Sequence, residues 1–90
     1  MWQVEYTNRF IKELAALPAE IKSRIEPIVF QSLESDNPFA LGYLEKMKGY
    51  PDKYKIRVGD YRIGLTVDAP TNTLICQRVA HRRDIYRIFP

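Results

Sequence analysis

Ninety residues, 46% hydrophobic and 28% charged, suit one globular domain spanning residues 1–90 and exclude disordered or collagen-like chains. A single cysteine, Cys76, and a single histidine, His81, exclude a disulfide framework, a multi-cysteine zinc site and a His-rich metal cluster. The net charge is +3, the N-terminus MWQVEYTNRF has no apolar leader, and no run approaches about 18 apolar residues, so a cytoplasmic protein outside the membrane is expected.

Trp2, Val4 and Tyr6 alternate with Gln3 and Glu5, the period of a half-buried strand. Thr7 or Asn8 can cap the helix that follows, on whose apolar face Phe10, Ile11, Leu14 and Leu17 are expected. Pro18 suits the first turn of a second helix, striped by Ile21, Ile25, Ile28, Val29 and Leu33. Pro27 should bend that helix or shift one of its hydrogen bonds, and Asn37-Pro38 should end the helical region. Both stripes read as core.

The second half reads as strands. Tyr54, Ile56 and Val58 alternate with Lys53, Lys55 and Arg57, and Gly59-Asp60 is a two-residue hairpin turn. Tyr61, Ile63, Leu65 and Val67 alternate with Arg62, Gly64 and Thr66 in the next strand. Asp68–Asn72 is a looser turn into Thr73–Val79, which is apolar on both faces and therefore expected inside the sheet. The tail HRRDIYRIFP is short enough for a helical turn or an extended end. The expected fold is α+β: a strand, a helical hairpin, then an antiparallel three-strand meander, with the helices on one face of the sheet.

Charge is divided unevenly. Residues 1–45 carry four cations against seven acids, and residues 46–90 carry ten cations against four. That split points to a basic surface for phosphate, nucleic acid or an acidic partner. The hairpin turn sets Arg57 opposite Arg62, and like charges so placed destabilise a ladder by up to about 1 kcal/mol. An anion between them would relieve the repulsion; a merely solvated basic face is the alternative. Gly64, opposite Lys55, would let a ligand backbone approach the sheet.

His81, Arg82, Arg83, Tyr86 and Arg87 follow the last strand and are expected at one end of the same basic face. Cleaving a phosphodiester by internal transfer needs a base for the 2′-OH, an acid for the leaving 5′-oxygen, and cations for the phosphate charge. Arginine keeps its proton, so Arg57, Arg62 and Arg82 can only stabilise charge. Tyr86, Lys55 and His81 remain as proton carriers, with Glu45 a fourth if its loop folds over the sheet.

The stretch LEKMKGYPDKYKIRVGDYRIGL, followed by VAHRRDIYR, resembles the RelE family of bacterial type II toxins, within the RelE/ParE superfamily, and the likeness covers essentially the whole chain. The resemblance implies an endoribonuclease that cuts mRNA in the ribosomal A site without metal or cofactor, held inactive by a cognate RelB-like antitoxin. It places Lys55 on the family's first catalytic lysine and Arg57 on a second basic position. Arg62 falls on a phosphate-binding arginine, Arg82 on the arginine after the central strand, and Tyr86 on a tyrosine that stacks on the base or moves a proton. His81 stands where some relatives carry lysine, and Glu45 where the YoeB-like branch has a glutamate base. Lys53, Lys55, Arg57, Arg62, Arg82 and Arg83 are the implied RNA contacts. Two departures, Arg57 for a lysine and Ala80 for a common glycine, leave the base open among Glu45, Lys55, His81 and Tyr86. A ParE-like toxin that binds DNA gyrase without cutting RNA is the alternative, and a non-catalytic RNA-binding module is a third reading.

Overall fold

The computed structural model describes all 90 residues. The alternating N-terminal segment forms β1 (Gln3–Tyr6), with Trp2, Val4 and Tyr6 half-buried. Thr7 ends the strand and caps α1 (Asn8–Ala15), its Oγ1 accepting from the Phe10 amide at 3.1 Å. Phe10 and Leu14 are buried, but Ile11 is exposed, because each residue turns an α-helix by about 100° and Ile11 has rotated off the core face.

Pro18 stands just ahead of α2 (Ala19–Pro27) rather than inside its first turn. Ile21, Ile25, Val29 and Leu33 are buried along its length and beyond. Pro27 brings no N–H, and past it the chain widens into a π turn, Ile28–Ser32. There the Leu33 amide reaches back to the Ile28 carbonyl at 3.0 Å, the shifted hydrogen bond that Pro27 leads one to expect. The Val29 carbonyl instead accepts the Tyr6 hydroxyl at 2.6 Å, tying the helical hairpin to β1. Asn37 does not simply end the helical region. Its side chain accepts from Phe39 at 3.2 Å and opens a 3₁₀ turn, Pro38–Leu41.

The remaining strands are β2 (Leu44–Lys46), β3 (Lys53–Val58), β4 (Tyr61–Asp68) and β5 (Thr73–His81), in the sheet order β1-β5-β4-β3-β2. The expected meander is β3-β4-β5. It gains β2, antiparallel on one edge, and β1, parallel to β5 on the other. The hairpin register is the one the Gly59-Asp60 turn dictates: Val58 opposite Tyr61, Arg57 opposite Arg62, Ile56 opposite Ile63 and Lys55 opposite Gly64.

The helical hairpin packs on one face, where Phe10, Leu14, Ile21, Ile25, Val29 and Leu33 meet Ile56, Val58, Ile63, Leu65, Leu74, Cys76 and Val79. The tail is more than a turn: it forms α3 (Arg82–Ile88), which lies on the opposite face. There Ile85 and Phe89 form a small second core with Met47. The helices therefore cover both faces, α1 and α2 on one and α3 on the other.

A bulge in β5 joins the two layers. Leu65 pairs with Cys76 but Gly64 pairs with Arg78, so Gln77 is an extra residue and the inward parity changes from Leu74 and Cys76 to Val79. α1 and its N-cap support it: the Thr7 hydroxyl donates to the Gln77 carbonyl at 3.0 Å, and Glu13 Oε1 accepts the Val79 amide at 3.1 Å where β1 no longer pairs. Arg78 holds Glu13 in place with contacts of 2.7–3.2 Å.

Two measurable consequences follow from this packing. Glu13→Ala leaves a half-buried guanidinium unpaired and the Val79 amide without its acceptor, and should lower stability by about 2 kcal/mol in urea unfolding. Burial pushes the Cys76 thiol from 9.0 up to about 12, and burial with the nearby Cys76 and Glu34 charges pushes the Tyr6 phenol from 10.0 up to about 12. The folded state then holds protons that the unfolded chain has released, so the contribution of these two groups is constant below pH 9.0, and stability should fall as the pH rises from there towards about 12. Cys76→Ala and Tyr6→Phe should each flatten that alkaline slope.

Candidate active site

Odd-numbered residues of β3 point away from the helical hairpin, so Lys53, Lys55 and Arg57 form a row about 6.6–6.8 Å apart on the α3 face. Glu45 on β2 lies directly opposite Lys55, so its side chain shares that face. What was expected as a loop is a strand, and this strand places the carboxylate beside the lysine. Across the groove, α3 presents Tyr86. Lys55 Nζ donates to Tyr86 Oη at 2.7 Å and stands 5.0 Å from the ring centroid. Tyr86 remains 56% exposed, so much of its side chain is accessible to a ligand. A groove of about 300 Å³ runs here between Lys55, Tyr86, Met47, Lys48, Tyr50, Phe89 and Pro90.

The start of α3 is fixed at the hairpin turn. The Arg82 amide donates to the Asp60 carbonyl at 2.7 Å, and Arg82 Nε lies 3.9 Å from Asp60 Oδ1. That ion pair is exposed and weak, so the guanidinium is available at the hairpin-turn end of the sheet. Arg83 is exposed in the same first turn.

The arginine pair differs from expectation in one respect. Arg57 and Arg62 are opposite each other and Arg57 is exposed, but Arg62 is only 8% exposed. Its Nη1 donates to the carbonyls of Gly59 at 2.9 Å and Tyr61 at 2.8 Å, so Arg62 curls back and closes the turn. Those two carbonyls, rather than a bound anion, accept from its guanidinium. Lys53 is likewise engaged, with Thr66 at 3.0 Å and Asp52 at 3.2 Å.

His81 is not in the groove. It pairs with Tyr61, so it faces the helical-hairpin side, its ring 5.4 Å from that of Tyr61. Its Nδ1 accepts the Arg83 amide at 3.2 Å and caps α3. The bulge at Gln77 is the reason, since unbroken alternation from Cys76 would put His81 on the basic face. The space over Gly64 is not open to a ligand either, because the Phe89 ring fills it. Lys48, Tyr50, Met47 and Phe89 are groove residues that the sequence reading did not single out. Lys48 and Tyr50 lie in the LEKMKGY segment, and Phe89 carries no local signal beyond its aromaticity.

The site thus brings together Lys55, Tyr86, Glu45 and Arg57, with Arg82 at one end. It can donate and accept protons within one hydrogen bond and offers cations to a phosphate. The chain matches the family model of the ParE toxin of type II toxin–antitoxin systems over residues 4–86. It belongs to that toxin family, within the RelE/ParE superfamily. It is 41% identical to Toxin RelE3 of Methanocaldococcus jannaschii, with 98% of this chain and 99% of the relative covered. Its fold matches a chain of the RelB–RelE antitoxin–toxin complex from Methanococcus jannaschii with a TM-score of 0.77 at 38% identity, covering 96% and 99% of the two chains. The isolated E. coli RelE toxin shares the fold, with a TM-score of 0.70 at 21% identity over 99% of this chain and 100% of that one. No helix is long and apolar enough to cross a membrane.

The two arginines of this RelE-like toxin should separate on substitution. Arg57→Thr, at an exposed position, should change stability by less than about 0.5 kcal/mol in urea unfolding. Arg62→Ala removes the donor from two turn carbonyls and should cost about 1–2 kcal/mol.

Proposed function

We propose that this toxin is an endoribonuclease that cuts mRNA in the ribosomal A site. In the reaction, the ribose 2′-OH gives its proton to a base and its oxygen bonds to phosphorus. The bond from phosphorus to the 5′-oxygen breaks, and that oxygen takes a proton from an acid. The products are a 2′,3′-cyclic phosphate and a free 5′-OH, so one proton enters the site and one leaves it.

The observation that carries this reading is the 2.7 Å contact of Lys55 with Tyr86 on a cationic face. Because Lys55 donates to the phenolic oxygen, the Tyr86 proton is free to point at the leaving 5′-oxygen. Glu45, on the far side of Lys55, is the nearest acceptor type for the 2′-OH proton. Arg57 and Arg82 face the phosphate charge, and Lys48 extends the cationic wall. His81 has no part, since it caps α3 on the other side. This reading assigns the phosphate charge to the chain's own cations.

The same face, with Tyr50 and Tyr86 exposed among cations, suits an acidic and apolar segment of a RelB-like antitoxin laid across the groove. The proposed partners are thus that antitoxin, the ribosome and mRNA, in the cytoplasm. The family model bears the ParE name, and gyrase binding is the alternative. It gives no role to the Lys55–Tyr86 pair.

Tyr86→Phe keeps the ring and removes the hydroxyl. It should bind ribosomes as the parent does and cut mRNA about 10²–10⁴-fold more slowly in single-turnover assays. Parallel reactions with gyrase and plasmid should show no inhibition. Gyrase inhibition without cleavage of ribosome-bound mRNA would overturn the nuclease reading.

A further inference from the structure

We propose that Phe89 is a positioning residue for Tyr86, seated in a recess that exists because residue 64 is glycine. The proposal rests on the nuclease reading for its kinetic arm only. Gly64 lies inside β4, with a strand paired on each side, where glycine has no side chain to pack and weakens the sheet. A Cβ there would stand 2.5, 2.6 and 2.8 Å from three carbons of the Phe89 ring, so the ring lies directly on the strand backbone. Phe89 is only 4% exposed although its neighbour Pro90 is exposed.

The recess belongs to one cross-strand row. Lys55 on β3, Gly64 on β4 and Arg78 on β5 are successive partners in the sheet. Each holds a residue of the α3 segment. Lys55 donates to Tyr86, Gly64 receives Phe89, and Arg78 Nη1 donates to the Ile88 carbonyl at 3.3 Å. Arg78 is itself anchored on Glu13 of α1. The Lys55 contact is exposed and the Arg78 contact is long, which leaves the buried ring as the main restraint. The N-terminal end of α3 is tied to the hairpin turn through the Arg82 amide, and within the helix only Ile85 is buried, so Phe89, with the half-buried Ile88, anchors the C-terminal end that carries Tyr86. Rotation or lift of α3 would carry the Tyr86 hydroxyl off Lys55, and misplacement by about 1 Å can cost a reaction about 10²-fold.

The test uses Phe89→Ala, Phe89→Leu and Gly64→Ala in the full chain. NMR contacts between the Tyr86 ring and the Lys55 Cε protons report the geometry without any RNA. They should vanish in Phe89→Ala and Gly64→Ala, while amide exchange in the core strands stays at parent level. On ribosomes, both variants should cut about 10²-fold more slowly with an unchanged half-saturating concentration. The Gly64→Ala/Phe89→Ala double variant should be no slower than either single one, since both act on one contact. Phe89→Ala added to Tyr86→Phe should slow cleavage no further, which a general loss of stability would not produce. If Phe89→Ala unfolds, Phe89→Leu keeps apolar bulk and should show a partial loss of both signals. Retained Tyr86–Lys55 contacts in folded Phe89→Ala or Gly64→Ala would overturn the proposal, as would rate losses that multiply with Tyr86→Phe. A parent protein that shows the NMR contacts but cuts no RNA would overturn the nuclease reading and leave the positioning role intact.

Discussion

One extra residue in β5 decides which side chains of the last strand face the groove. Gln77 has no partner across the ladder, and its insertion reverses which side chains of β5 face the helical hairpin. Val79 joins Leu74 and Cys76 in the core, while Arg78 is turned toward the α3 face and the open edge past β1. Without the bulge, Arg78 would point into the apolar layer and need a buried partner. The bulge is held by α1, through Thr7 on the Gln77 carbonyl and Glu13 on the Val79 amide. The first helix therefore supports the groove from the opposite side of the sheet.

The two layers differ in how strongly they are held. The helical-hairpin face has thirteen buried apolar residues, enough to determine the fold, and the α3 face has three. A buried side chain of this kind contributes about 1.5–3 kcal/mol, and an exposed cation–π contact about 0.5–1 kcal/mol. α3 is thus held by a few kcal/mol, mostly through Ile85 and Phe89, and it carries Tyr86. An element this lightly attached is among the first to open in a folded domain. That is consistent with a site that a partner segment can cover.

Charge follows the same division. Acids dominate the part of the sequence that builds the helical hairpin, and cations dominate the part that builds the groove. Such separation gives the molecule a field that turns its groove toward polyanions before contact. Within the groove the cations are not all free. Arg62 closes the hairpin turn and Lys53 is bonded to Thr66 and Asp52. Lys48, Lys55, Arg57 and Arg82 are the ones left facing solvent or a weak partner.

The sequence by itself determined everything that depends on local period and turn chemistry. Alternation placed β1, β3 and β4, the Gly59-Asp60 turn set the β3–β4 register to the residue, and Pro27 announced the shifted hydrogen bond. Lys55, Arg57 and Tyr86 were legible as a group because a known register and a nearby tail leave few places for them. Only the tertiary structure decided the rest, because each remaining feature is a contact between segments distant in the chain. β2 is three residues long and exists by pairing with β3, so Glu45 gained its place beside Lys55 from a neighbour. The seven residues of α3 are too few to be stable alone and depend on Ile85 and Phe89 docking onto the sheet. His81 left the groove because a bulge, stabilised by Thr7 and Glu13 some seventy residues away, changed the parity of its strand. Arg62 turned inward because two carbonyls of its own hairpin turn lay within reach once that turn had closed.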